Sequence, residues 1–228
     1  MATIELTTGI ARPPSRSDYL TQKAGCKVAP SGTPHPIWTA FLKRITAEND
    51  DLIKFLQRYI GYCMTCDVSE HCFVFAYGSG ANGKSTFIGT IQNIFGDYAV
   101  VADMNTFIAS NNDRHPTDVA KLRGARLVVA TETQAGRSWD EAKIKAITGG
   151  ERLTARFMRQ DFFDFYPTFK LFISGNHLPR LRNVDEAIRR RLLLVPFTVQ
   201  IPKDERDSKL MEKLKPEWPA ILRQGRRR

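Results

Sequence analysis

The residues best suited to chemistry stand in one short run, Gly78-Ser79-Gly80-Ala81-Asn82-Gly83-Lys84-Ser85-Thr86. The run satisfies G-x-x-x-x-G-K-[ST] in full and lies between an apolar stretch and a helical pattern over Lys84 to Phe95. Glycines in such a loop let backbone N–H groups curl around phosphate oxygens, and a helix N-terminus adds partial positive charge. Lys84 can then reach the β and γ phosphates, and Ser85 offers a hydroxyl to magnesium. ATP or GTP with Mg2+ is the implied ligand set. A glycine-rich turn that merely joins strand to helix is the alternative, but it does not require a lysine there. A phosphate loop alone fits kinases, transporters, GTPases and helicases, so other residues must choose among them.

Several further groups bear on that choice. The run Ala125 to Ala130 ends in Thr131-Glu132-Thr133, which predicts a carboxylate at the carboxyl end of a core strand. Glu132 is the candidate general base for an attacking water and, with Ser85, the candidate magnesium-side group. Thr131 stands where an Asp would complete an acidic pair, and a plain surface Glu is the other reading of Glu132. A second run, Phe169 to Ile173, ends Ser174-Gly175-Asn176-His177-Leu178-Pro179. Asn176 there can hold the lytic water or the γ phosphate by hydrogen bonds, although Ser-Gly-Asn near a Pro is also ordinary turn chemistry. Arg189-Arg190-Arg191 precedes the apolar run Leu192 to Phe197. A guanidinium so placed can act on a neighbour's nucleotide as an arginine finger, or it can belong to a solvated basic rim. Finally, residues 153–165 interleave basic and aromatic side chains, as surfaces that track phosphates and stack bases do. Arg156, Arg159 and Gln160 are the candidate nucleic-acid contacts, Arg159 ahead of the aromatics, with Phe163 and Phe165 read as core.

These groups need a frame that brings strand ends together. Apolar runs at Cys72–Tyr77, Ala99–Val101, Arg126–Ala130, Phe169–Ser174 and Arg191–Phe197 alternate with helical patterns, which predicts an α/β fold with a mostly parallel sheet. Ahead of them, apolar positions at helical spacing from Ile37 to Ile60 predict two amphipathic helices. The expected divisions are a flexible linker or upstream remnant at 1–35, a helical preface at 36–66, the core at 67–200, and a helical, basic tail at 201–228 that reads as truncated.

Composition adds bounds. The net charge of +10 favours polyanionic partners, yet four arginines lie in the last six residues, so charge alone argues little for DNA. Cys63-x-x-Cys66 followed by His71 and Cys72 raises a zinc site, but Cys72 opens an apolar strand, and reduced structural thiols are expected. No segment has the length of a membrane span and the start lacks the order of a secretory signal, so a cytoplasmic place is expected.

The ordered set of phosphate loop, Glu-ended strand, Ser-Gly-Asn strand end and arginines before a last strand resembles the superfamily three helicases, in particular the carboxyl-terminal helicase region of phage and plasmid primase-helicases. The likeness runs from about Pro36 to Phe197 and includes Gly61-Tyr62, Asn82-Gly83-Lys84-Ser85-Thr86, Leu122-Arg123-Gly124-Ala125-Arg126, Lys145 to Glu151, and Asn176-His177-Leu178-Pro179. The resemblance implies an AAA+-type P-loop ATPase working as a homo-hexamer around single-stranded DNA in a bacterial host cell. It further implies Arg190 as the finger, with Arg189 or Arg191 as alternatives, and a primase or origin-binding domain in the full-length protein. It also implies that Arg152 to Phe165 forms a hairpin pointing into the ring channel, with Arg156, Phe157, Arg159 and Gln160 near its tip. Two other functions stay open: a nucleotide-binding assembly or DNA-loading module with little turnover, suggested by Thr131, and a P-loop kinase, for which no lid pattern is visible.

Overall fold

A computed structural model describes residues 2–109, 117–131, 138–177 and 185–225. Strands β1 (Thr3–Ile4) and β2 (Ala11–Arg12) make a small antiparallel ladder. Helices α1 (Pro36–Ile45) and α2 (Asp50–Met64) follow, their apolar stripes buried through Trp38, Phe41, Leu42 and Ile45, then Leu56, Tyr59, Ile60 and Cys63. The core continues with β3 (Phe73–Tyr77), α3 (Lys84–Phe95), β4 (Ala99–Val101), α4 (Thr117–Ala120), β5 (Leu127–Thr131) and α5 (Glu141–Thr148). An antiparallel pair, β6 (Leu153–Ala155) and β7 (Phe163–Phe165), precedes β8 (Lys170–Gly175), α6 (Glu186–Arg191) and β9 (Leu192–Pro196); α7 (Leu210–Leu214) and α8 (Trp218–Gln224) come last.

Five strands form one all-parallel sheet in the order β4-β5-β8-β3-β9. Because a parallel sheet is covered on both faces, its strands carry apolar side chains at nearly every position. Val74 and Ala76, Leu127 and Val129, Phe172 and Val195 pack against α1, α2 and α3 on one face. Phe73 and Phe75, Val128 and Ala130, Leu171 and Ile173 pack with Phe107, Trp139 and Ile144 on the other. The result is a three-layer α/β fold of the P-loop NTPase type, with β3, between the central β8 and the edge strand β9, delivering the chain into the loop before α3.

The expected strands recur within a residue or so at each end, and α3 spans the expected residues. One expectation is corrected. Arg191 does not open a strand: it closes α6, capped at its start by Asp185 accepting from the Ile188 N–H at 2.9 Å, and β9 begins at Leu192. A capped turn carrying three arginines at its carboxyl end satisfies the helix dipole, which competes successfully with extension of the apolar run. Before α1, residues 22–29 lie along the core. Asp97 N–H donates to the Lys23 carbonyl, Gly25 N–H to Ile94 and Ala29 N–H to Pro219. Gly25 and Gly96 cross so closely that a Cβ on Gly25 would meet the Asn93 oxygen at 1.8 Å.

Candidate nucleotide and nucleic-acid site

The loop lies at the carboxyl end of β3, where the neighbouring β8 also ends, Tyr77 pairing with Gly175. Its backbone turns through left-handed angles at Gly80 (φ 87°), Ala81 (φ 49°) and Gly83 (φ 82°). Gly83 is the N-cap of α3 and carries no side chain to cap it, so the N–H groups that follow Lys84 in the first turn are left to the loop in the manner of an anion site. A Cβ at Gly83 would meet Ile45 Cγ2 at 2.4 Å, which ties the preface helix to the loop.

Lys84 is buried, and its ammonium donates to the carbonyls of Gly78 at 2.5 Å and Gly175 at 2.7 Å. Two neutral oxygens hold the charge without balancing it, and burial pulls the Lys84 pKa below the ordinary lysine value. The arrangement is suited to exchange one set of oxygens for a more negative one. Ser79, Ala81 and Ser85 are exposed on the outer side of the loop, while Gly78 and Asn82 are buried on its inner side. Asn82 differs from the other loop residues: its amide donates to the Phe197 carbonyl at 2.8 Å, and its oxygen accepts the Lys84 backbone N–H at 3.3 Å.

Asn176 is exposed immediately after Gly175, beside the loop. Thr131, at the end of β5, is exposed and its hydroxyl lies 3.2 Å from that of Ser174 on β8. Glu132 falls outside the described residues. The Gly175 carbonyl escaped the sequence reading because a main-chain acceptor carries no residue signature.

Arg189 and Arg190 are exposed at the end of α6, whereas Arg191 is half-buried and bonds back to the Ala187 carbonyl at 3.1 Å. Leu192 pairs with Phe73, so these arginines sit at the amino end of the sheet. Gly78 is five residues further along β3, about 16 Å at strand rise. The three arginines and their own phosphate loop therefore occupy opposite ends of the same sheet.

Residues 153–165 form the expected hairpin, with Leu153 opposite Phe165 and Ala155 opposite Phe163. Arg159 takes a left-handed conformation (φ 59°) in the tip, where Gln160 N–H donates to the Phe157 carbonyl at 3.1 Å. Arg159 and Gln160 are exposed; Arg156 is half-buried with its guanidinium over the Phe162 ring at 4.6 Å. Phe165 is buried and Phe163 partly so, while Met158, Phe162 and Tyr166 stand out in solvent. Arg123 joins this group unexpectedly: it stacks on Phe163 at 5.0 Å, and Phe163 stacks on Phe157. The Leu122-Arg123-Gly124 wording held that signal, but nothing local linked it to the hairpin.

A separate cleft of about 970 Å3 opens between residues 31–36, α1 and Arg223, and its lining includes none of these site residues. All four cysteines are free, and no cluster of metal-ligating side chains occurs among the described residues.

Residues 76–191 match the family described as Family of unknown function (DUF5906), slightly over half of the chain. The chain belongs to this family. Among curated proteins it is 29% identical over 175 residues to "Putative helicase L207/L206" of Acanthamoeba polyphaga mimivirus, covering 76% of this chain and 18% of that protein. It is 31% identical over 152 residues to "Putative helicase V13" of Sputnik virophage, covering 63% and 19%. A third relative, "Putative helicase 184R" of Invertebrate iridescent virus 6, is 32% identical over 145 residues, covering 60% and 15%. The chain thus spans less than a fifth of the length of each of these viral relatives. Among solved structures it superposes on the apo A form of the NrS-1 C-terminal region with a TM-score of 0.72 at 11% identity, covering 98% of this chain and 52% of that one. That likeness shows the fold. No helix among the described residues is long and apolar enough to cross a membrane.

Proposed function

We propose that this chain is the ATP-hydrolysing motor domain of a helicase of the superfamily three type, acting on single-stranded DNA as part of a homo-oligomeric ring, a hexamer by family likeness. The observation that carries the reading is Lys84, an underbalanced ammonium held between two strand ends at a helix start whose N-cap is a glycine. The helicase names of three viral relatives support the same class of motor.

Lys84 and the loop N–H groups bind the phosphates. Water attacks the γ phosphorus and passes its proton to the Glu132 carboxylate, while the bond from that phosphorus to the β–γ bridging oxygen breaks and Lys84 meets the charge left on ADP. Asn176 orients the water or the γ phosphate from the end of β8. Ser85, whose side chain is exposed, and Glu132 are the residues that would hold magnesium, which would supply positive charge against the β and γ oxygens. Arg190, too far from its own loop, completes the site of an adjacent subunit. Arg156, Arg159 and Gln160 on the hairpin grip the DNA backbone, beside exposed aromatic surface suited to base stacking.

The test is steady-state ATP hydrolysis with and without single-stranded DNA. Wild type should show turnover that DNA stimulates, and Lys84→Ala should lower it about a hundredfold or more. Nucleotide binding without turnover in either condition would favour the assembly-module reading instead, for which the exposed Thr131 in place of an acid is the supporting observation.

A further inference from the structure

We infer that Asn82 is a positioning residue that couples the phosphate loop to β9, and through β9 to the arginines at the other end of that strand. The inference rests on the reading of the loop as a nucleotide site. Within the motif the fourth variable position is free in chemistry, and an asparagine pointing outward would simply add a polar group for the phosphates. Here the side chain points inward and is 3% exposed, with both ends of its amide used by protein.

Its partner, the Phe197 carbonyl, is the first acceptor after β9. Two more bonds close the same junction: Phe197 N–H donates to the Tyr77 carbonyl at 2.8 Å, and Ile201 N–H donates to the Ala81 carbonyl at 2.8 Å. Gly78 permits the approach, since a Cβ there would lie 2.0 Å from the Phe197 oxygen and 2.6 Å from the Asn82 amide nitrogen. The segment from Phe197 to Ile201 therefore holds the loop from behind, and Asn82 supplies the side-chain tie found within that junction among the described residues.

Among the described residues strand β9 is a sheet edge, hydrogen-bonded only to β3, along five paired residues from Leu192 to Pro196. It carries Arg189, Arg190 and Arg191 immediately before it and Phe197 immediately after it. A short, fully paired strand moves as a rod. A shift of the arginines on engaging a neighbouring subunit's nucleotide therefore reaches Phe197, and Asn82 passes it to the Lys84 backbone, which it holds through its oxygen. The same path runs in reverse when nucleotide reshapes the loop.

Hydrogen exchange with mass detection, on wild type and Asn82→Ala with and without saturating Mg-ATP, tests this. Nucleotide should protect 84–95 in both proteins but 192–201 in wild type alone, and the alanine variant should bind Mg-ATP about tenfold more weakly for the loss of one buried tie. Continued nucleotide-dependent protection of 192–201 in Asn82→Ala would overturn the coupling. Absence of any Mg-ATP binding by wild type would overturn the nucleotide-site reading itself, and the two failures are distinct. Should Asn82→Ala not fold, Asn82→Ser, too short to reach Phe197, carries the same comparison.

Discussion

Among the described residues, three charged side chains are buried, and each holds a different join: Lys84 at the loop, Lys170 at the opposite end of the sheet, and Glu217 at the preface. Lys170 donates to the Thr65 carbonyl at 2.6 Å and stands over the Tyr62 ring at 4.4 Å, fastening the end of α2 to the start of β8. Burial, with a lesser push from Arg126, lowers its pKa from the ordinary 10.5 to about 8. Between those values the unfolded chain keeps a proton that the folded chain has released, so this residue's contribution to folding stability rises with pH across that window. Denaturant melts of wild type and Lys170→Met at pH 7.5 and pH 10 should show wild type gaining on the variant at the higher pH; a flat or reversed difference would sink the assignment. A lysine opening an apolar strand reads as a surface boundary in sequence. Lys84 was legible because its role lies within nine contiguous residues, whereas Lys170, Asn82 and the Gly175 carbonyl act through partners far along the chain.

At the scale of elements, the strands and α3 were readable because each is a run of residues buried on both sides, a pattern that a single sequence displays directly. Helix α6 was not, since with one buried residue, Ile188, it has too short a period to compete with the apolar run that follows. The strap at 22–29 is held by main-chain bonds, which composition does not encode. Helix α1 shows the same limit. His35 makes no side-chain cap, and the Ile37 and Trp38 N–H groups instead donate to the two oxygens of Glu217, at 3.0 and 2.8 Å. Removing that carboxylate leaves two donors of the first turn without it, one of them on the buried Trp38. Glu217→Ala should therefore cost about 1–3 kcal/mol, lowering the midpoint of a thermal melt by roughly 3–10 °C for a domain of this size. A melt unchanged by the substitution would show that the cap carries no weight.

For the molecule as a whole, the separation of the arginines from their own loop bears on the proposed sharing of sites between subunits. If Arg190 serves only a neighbour, then Lys84→Ala and Arg190→Ala proteins, each inactive alone, should recover about a quarter of wild-type hydrolysis when co-assembled in equal amounts, because one interface in four pairs an intact loop with an intact finger. No recovery on mixing, with assembly confirmed by light scattering, would return the arginines to an ordinary basic rim. The viral character of the similar proteins leaves the expected bacterial host without support, and in each of them the matched region is less than a fifth of the chain. The Glu217 cap also bears on how such a chain is made. A ribosome releases α1 about 180 residues before the carboxylate that completes its first turn, some ten to thirty seconds of synthesis at about 5–20 residues per second. The start of the preface helix therefore waits with two N–H groups unanswered until Glu217 has left the exit tunnel.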